Sequence, residues 1–234
     1  MVDLCFGIKG DSLSDTISQP EIREVDRIIV RFAGDSGDGM QLTGERFTSA
    51  SALFGNDLAT LPEFPAEIRA PQGTLAGVSA FQVQVSDHDI TTPGDAPNVL
   101  IAMNPAALKN ELPKLEDAGT IIVNRDTFEE RNLNKAGYEA NPLETGELAG
   151  YTLFEVPMTT LTKEVCKGIE GIKPRDAERS KNFFALGLVS WLYQRPLEPT
   201  LDWIEKKFGK TPAVVAANNA AFKAGHAYGE TTEA

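Results

Sequence analysis

Cysteine and histidine are scarce in this chain, with two of each among 234 residues. Cys5 and Cys166 lie far apart. A structural zinc site or a cysteine-held iron–sulfur cluster needs about four ligands, so the chain builds neither from its own thiols. His88 and His226 do not complete such a set. The simplest reading is two reduced thiols in a reducing compartment. Basic residues are outnumbered too: 22 Lys and Arg stand against 34 Asp and Glu, for a net charge of −12. Nucleic-acid affinity comes largely from neutralised phosphates, which argues against that class of partner. Broad docking of an acidic protein is disfavoured for the same reason. A small anion binds only where local amides and a few cations outweigh the global field. No apolar stretch approaches the roughly 20 residues that span a bilayer. The opening "MVDLCFGIKGDSLSDTISQPEIREVD" has no basic leader followed by a long apolar segment. The expectation is a cytoplasmic protein with neither membrane nor nucleic-acid partners.

What is present is ordinary globular material, 41% hydrophobic and 24% charged. The length suits one large domain, or one with an appendage, and suffices for a substantial core. Residues 1–25 are polar and irregular and read as an arm; the domain proper begins at 26. "RIIVRFA" (27–33), "NVLIAMN" (98–104), "GTIIVNRD" (119–126) and "YTLFEVPM" (151–158) read as strands, the first three of them buried. "GVSAFQVQVSD" (77–87) alternates Val78, Ala80, Gln82 and Gln84 against Ser79, Phe81, Val83 and Val85, a strand with one face partly polar. "MQLTGERFTSASALFG" (40–55) and "PAALKNELPKL" (105–115) have helical character, the second with Pro in its first turn. The Pro-rich "LPEFPAEIRAPQG" (61–73) suits neither regular element, and residues 131–150 read as a long polar connection. The remainder is helical over 177–194, from Pro199 to Phe208, and beyond Pro212, where alanines make a narrow surface suited to close helix packing. Alternation of strand and helix predicts an α/β fold: a three-layer, doubly wound, mostly parallel sheet, helices on both faces and a helical C-terminal part.

The stretch "RFAGDSGDGM" (31–40) is where chemistry is expected. A strand, a glycine-rich turn and a helix N-terminus present backbone N–H groups and the positive end of a helix dipole, and missing β-carbons let an anion come close. Gly34, Gly37 and Gly39 give the spacing G-x-x-G-x-G, which is not the dinucleotide fingerprint, and no Lys-Ser or Lys-Thr follows as in a P-loop. Three readings stay open: a phosphate cradle; a magnesium site built on Gly37-Asp38-Gly39, as in the opening of the thiamine diphosphate motif; and a plain structural turn.

The loop does not stand alone. "RFAGDSGDGMQLTGERFTSASALFG", "FPAEIRAPQGTLAGVSAFQVQVSD", "LIAMNPAALKNELPKLEDAGTIIVN" and "NFFALGLVSWLY" follow one another in order. Together they resemble the gamma domain of 2-oxoacid:ferredoxin oxidoreductases, most fully the form fused at the N-terminus of the alpha subunit of 2-oxoglutarate:ferredoxin oxidoreductase. The resemblance covers roughly residues 26–230, and it implies a domain continuing into a longer alpha subunit. It further implies that the complete enzyme decarboxylates a 2-oxoacid on thiamine diphosphate with Mg2+, passes electrons through an iron–sulfur cluster to ferredoxin, and transfers the acyl group to coenzyme A. Thiamine diphosphate, Mg2+ and the cluster would lie outside this chain, with a beta subunit and the rest of the alpha subunit as partners. The gamma domain's implied share is part of the coenzyme A site, at Gly34, Ser36, Gly37, Asp38 and Gly39. The helix after the loop offers Glu45 and Arg46 where relatives place lysines. In the second segment, Glu67 and Arg69 match a family stretch. Arg69 is either a bidentate partner for phosphate or carboxylate, or half of an interdomain ion pair. Asn124, at the end of its strand, either faces a ligand or caps a helix. His226 reads as a packing or surface residue rather than a base. The competing classes are a structural assembly module and a stand-alone nucleotide-binding dehydrogenase, for which no nucleophile–base pair is evident.

Overall fold

In the computed structural model, which describes residues 2–6, 21–65 and 77–232, the elements follow in chain order. They are β1 (Val2–Phe6), β2 (Glu21–Val25), β3 (Arg27–Asp35), α1 (Met40–Ala52), β4 (Asp57–Glu63), β5 (Val78–Ser86), β6 (Val99–Ala102), α2 (Pro105–Glu111) and β7 (Thr120–Asn124). There follow α3 (Glu130–Lys135), β8 (Thr152–Val156), α4 (Met158–Cys166), α5 (Pro174–Arg179), α6 (Lys181–Leu192), α7 (Glu198–Phe208) and α8 (Pro212–Thr232). The six-stranded sheet has the order β4-β5-β3-β6-β7-β8. β3, β6, β7 and β8 pair in parallel. Runs such as Val99–Ala102 and Thr120–Asn124 are buried throughout, as strands covered on both faces must be.

Helices cover both faces. On one, α1, α6 and α8 close a core that includes Phe32, Met40, Phe47, Phe184 and Phe222. On the other, Ala107 and Leu108 of α2 and Leu133 of α3 pack over Leu100, Ile121 and Val123. The α/β expectation with helices on both faces holds.

Three local readings change. The Pro-rich segment 61–73 reads as irregular, yet its first three residues end β4 (Asp57–Glu63), antiparallel to β5; residues 66–73 of it lie outside the described residues. Pro62 is tolerated because β4 is the outermost strand, where a missing N–H need not break a ladder. The antiparallel hairpin makes this edge of the sheet mixed. Residues 1–25 were expected to lack regular structure, whereas β1 and β2 pair in register from Val2↔Val25 to Phe6↔Glu21. The single helix expected over 177–194 is two helices broken at Ser180. There the hydroxyl donates to Asn218 Oδ1 of α8 at 2.7 Å, with Asp176 O as an alternative acceptor at 3.3 Å.

The partly polar face of β5 is buried rather than wet. Gln82 is 2% exposed, and its Nε2 donates to Pro93 O and Gly94 O at 3.1 and 2.8 Å. Its Oε1 accepts from Arg31 Nη1 at 3.2 Å. Arg31 in turn holds Glu111 through Nε and Glu63 through Nη2. A buried charge survives only when paired in this way.

Candidate anion site at the carboxyl end of the sheet

β3 and β6 are parallel neighbours whose following helices leave for opposite faces, α1 toward the first core and α2 toward the second. Such a divergence opens a crevice beyond the strand ends, the place where open α/β sheets hold ligands. The glycine loop forms its rim. Asp38 N donates to Asp35 O at 2.9 Å, and Asp38 Oδ2 accepts from Asp35 N at 3.0 Å, so the turn is closed by its own carboxylate. Asp38 Oδ1 pairs with Lys181 Nζ at 3.0 Å. Asp35 Oδ1 accepts from Asn104 Nδ2 at 3.0 Å, while Asn104 Oδ1 caps α2 by accepting from Ala107 N at 2.8 Å. Both loop carboxylates are therefore engaged. Burial, helped by the neighbouring Asp38 charge, raises the Asp35 pKa; Lys135, Asn104 and Lys181 oppose the rise.

The three glycines do different things. A β-carbon on Gly34 would stand 3.0 Å from Asp38 Oδ2. Gly39 is left-handed (φ 75°), and a β-carbon there would come within 2.5 Å of Asn182 Nδ2. Gly37 has neither constraint: a β-carbon on it would meet nothing within 4 Å. Its bare face is open space. α1 begins directly behind it with no side-chain cap and no acidic residue in its first turn, so its leading amides and dipole face that space. Ser36 is exposed at the tip of the loop.

Three hollows adjoin the loop. One of about 200 Å³ lies between Asp35, Asp38, Asn104, Thr127, Lys135 and Lys181. A second, about 290 Å³, is bounded by Gly37, Leu42, Arg179, Asn182, Phe208 and Asn218. A third, about 550 Å³, lies between Asp35, Gly37, Asp38, Arg175, Glu178, Arg179 and Lys181. The cations are thus supplied by α3, α5 and the start of α6. Arg46, which follows the loop in sequence, is turned away: its guanidinium lies 4.4 Å from the Trp203 ring centroid, and burial lowers its pKa.

Of the expected site residues, the structure gathers Gly34, Ser36, Gly37, Asp38 and Gly39 at the crevice. Asn124 is not among them. It is fully buried; its Nδ2 donates to Thr159 Oγ1 at 2.9 Å and its Oδ1 accepts from Thr159 N at 3.3 Å. These bonds tie β7 to the start of α4, the capping arrangement of its two alternatives. Glu67 and Arg69 lie outside the described residues. Lys135, Arg175, Arg179, Lys181 and Asn182 were not foreseen. They lie about 100 to 150 positions beyond the loop, and no local pattern marks them; Asn104-Pro105, a helix-start signature, was readable as a cap.

The magnesium reading does not fit. Asp38 has one oxygen on an amide and the other on a lysine, which leaves no carboxylate poised for a hard cation. Burial pushes the Cys166 thiol up, the setting of an inert structural cysteine. No helix among the described residues is long and apolar enough to cross a membrane.

The family model for pyruvate ferredoxin/flavodoxin oxidoreductase matches residues 29–228. The chain is 57% identical over 215 residues to 2-oxoglutarate oxidoreductase subunit KorA of Mycobacterium tuberculosis, covering 92% of this chain and 33% of the relative. It therefore spans about a third of that relative's length. Its backbone is similar, with a TM-score of 0.67 and 27% identity, to 2-oxoglutarate:ferredoxin oxidoreductase from Magnetococcus marinus, solved with 2-oxoglutarate, coenzyme A and succinyl-CoA bound. That match covers 89% of this chain and 32% of the other. It also shares the fold of the gamma subunit of a keto/oxoacid ferredoxin oxidoreductase from Geobacter sulfurreducens. There the TM-score is 0.59 at 19% identity, over 87% of this chain and 99% of that one.

Proposed function

This chain belongs to the pyruvate ferredoxin/flavodoxin oxidoreductase family, and on that footing we propose that it is the gamma domain of a 2-oxoacid:ferredoxin oxidoreductase. Its substrate is 2-oxoglutarate and its acyl product succinyl-CoA, in a reaction that runs in either direction with the potential of the electron donor. The domain spans residues 26–234, with 1–25 as an arm, and it continues into a longer alpha polypeptide. Its own task is to bind part of coenzyme A and to hold neighbouring polypeptide. Thiamine diphosphate, Mg2+ and the iron–sulfur cluster belong to the rest of the enzyme, which includes a beta subunit and delivers electrons to ferredoxin in the cytoplasm. The 57% identity to KorA supports the substrate, and coenzyme A in the Magnetococcus enzyme supports the cofactor.

The observation that carries the coenzyme A reading is the open face of Gly37. It stands at the head of an uncapped helix, between hollows lined by Arg175, Arg179 and Lys181. The carboxylates that share these hollows are each engaged, Asp35 with Asn104, Asp38 with Lys181, Asp176 with Arg179 and Glu178 with Lys163, while the amides at the head of α1 have no side-chain cap. The interface part is supported by apolar side chains left outside: Leu53 (65% exposed), Phe54 (54%) and Phe64 (72%) flank β4 on either side in sequence.

The test is calorimetric titration of the assembled enzyme with coenzyme A, comparing wild type and Gly37→Val. Because a β-carbon at 37 meets nothing within 4 Å, an effect on binding is local. The expectation is affinity weakened about tenfold, equivalent to about 1.4 kcal/mol. Unaltered affinity would mean that the domain is an assembly module only. The isolated chain should turn over no 2-oxoacid.

A further inference from the structure

We infer that Asn182 is a phosphoryl-binding residue, its side-chain amide completing a cradle with the backbone amides between Gly37 and Leu42. The inference rests on the coenzyme A reading above and names the residues that read the anion. Asn182 is 8% exposed, so more than nine-tenths of it is buried. Its Oδ1 is occupied, accepting from Phe183 N at 2.9 Å. Its Nδ2 meets no acceptor among the described residues, although it stands against the left-handed turn of Gly39. Asn182 also lines the 290 Å³ hollow together with Gly37 and Leu42. An amide N–H without a protein acceptor is free to donate to a ligand oxygen. Here it faces the same hollow as the head of a 13-residue helix with no side-chain cap.

The surroundings select the ligand. Asp176 is the carboxylate lining this hollow, and it lies 3.8 Å from Arg179 Nη1. Arg179 is 61% exposed at the side chain and lines both this hollow and the 550 Å³ one, where Arg175 joins it. The head of α1, the Asn182 amide and the Arg179 guanidinium share the hollow at Gly37, and Arg175 lines the adjoining one beside Asp35, Asp38 and Glu178. That donor set suits an anion with several oxygens around one centre, which is a phosphoryl group rather than a single planar carboxylate. In coenzyme A that group is either the pyrophosphate or the ribose 3′-phosphate.

Two variants of the assembled enzyme test the assignment. Asn182→Asp keeps the acceptor for Phe183 N and turns the donor into a charged acceptor. Arg179→Gln removes one exposed cation and leaves the core untouched. Coenzyme A and dephospho-coenzyme A are titrated into each by calorimetry at low and moderate salt. Asn182→Asp should weaken coenzyme A at least tenfold, and Arg179→Gln a few-fold with a shallower salt dependence. If dephospho-coenzyme A is weakened equally by Asn182→Asp, the pyrophosphate occupies the cradle; if it is insensitive, the 3′-phosphate does. Wild-type affinities for both ligands in Asn182→Asp overturn the inference. Should Asn182→Asp fail to fold, unchanged affinity and salt dependence in Arg179→Gln overturn it instead. Sensitivity to Gly37→Val alone would leave the coenzyme A reading standing; insensitivity of all three variants would remove both.

Discussion

At the scale of single residues, the two aspartates of the loop set a puzzle that contacts resolve. Next to a candidate anion site, Asp35 and Asp38 look repulsive. The structure binds Asp38 to the Asp35 amide and to Lys181, and ties Asp35 to Asn104. What remains is the partial desolvation of Asp35, an exposed residue at the strand end, together with the neighbouring Asp38 charge, which raise its pKa above the ordinary 3.8. A carboxyl raised in the folded state binds protons more tightly there than in the unfolded chain. The fold is therefore penalised as pH rises through the folded-state pKa, and not below 3.8. Asp35→Asn retains an acceptor for Asn104 and removes that penalty. Urea unfolding should show the variant more stable than wild type at neutral pH, with the difference vanishing in acid. A variant less stable at neutral pH would mean that the charge on Asp35 supports the fold. The loop's glycines, aspartates and serine were all visible in the sequence; their partners were not, because Asn104 and Lys181 reach the loop only through the fold.

Among elements, the most demanding contact is that between α6 and α8. The alanine-rich surface of α8 announced a close approach, and Ala221 is fully buried in the core that α6 shares. The tightest points are nevertheless glycines. A β-carbon on Gly225 would stand 1.9 Å from Phe184 O, and one on Gly187 would stand 2.0 Å from Phe222 O. Neither obstacle is a flexible side chain, so the helices themselves must separate. Gly225→Ala should lose about 3 kcal/mol, at the upper end for overpacking, read by chemical denaturation; a loss below about 0.5 kcal/mol, the scale of a surface substitution, would contradict the packing. This matters for the site, since α6 carries Asn182 and Lys181 to the loop. Helix and strand identities here were legible from periodicity and caps. The break at Ser180 was not, because its cause is a hydrogen bond to Asn218 of a helix further along the chain.

For the molecule as a whole, charge placement matters more than charge total. Arg31 sits in the apolar-looking run "RIIVRF" and is 1% exposed. It joins β3 to Gln82 of β5, Glu63 of β4 and Glu111 of α2, with Lys114 at 3.2 Å from Glu63 and 3.0 Å from Glu111. Burial alone would lift the Glu63 pKa, yet Arg31 and Lys114 bring it below the usual value. Arg31→Met leaves Glu111, itself 1% exposed at the side chain, without its main counter-charge. A loss of about 3 kcal/mol or more is expected in urea unfolding. Adding Glu111→Leu should return much of it; a double variant as unstable as the single one would show that packing, not pairing, was lost. The sequence by itself determined the strand–helix alternation, the two-faced burial of the sheet and the glycine loop with its family resemblance, because periodicity, capping and glycine spacing are local properties. Only the tertiary structure decided that an edge strand would accept Pro62, that Arg31 would be buried among carboxylates, and which cations stand at the loop. Those outcomes depend on which distant segments meet, and contact between residues tens of positions apart or more is a consequence of packing that no local pattern encodes.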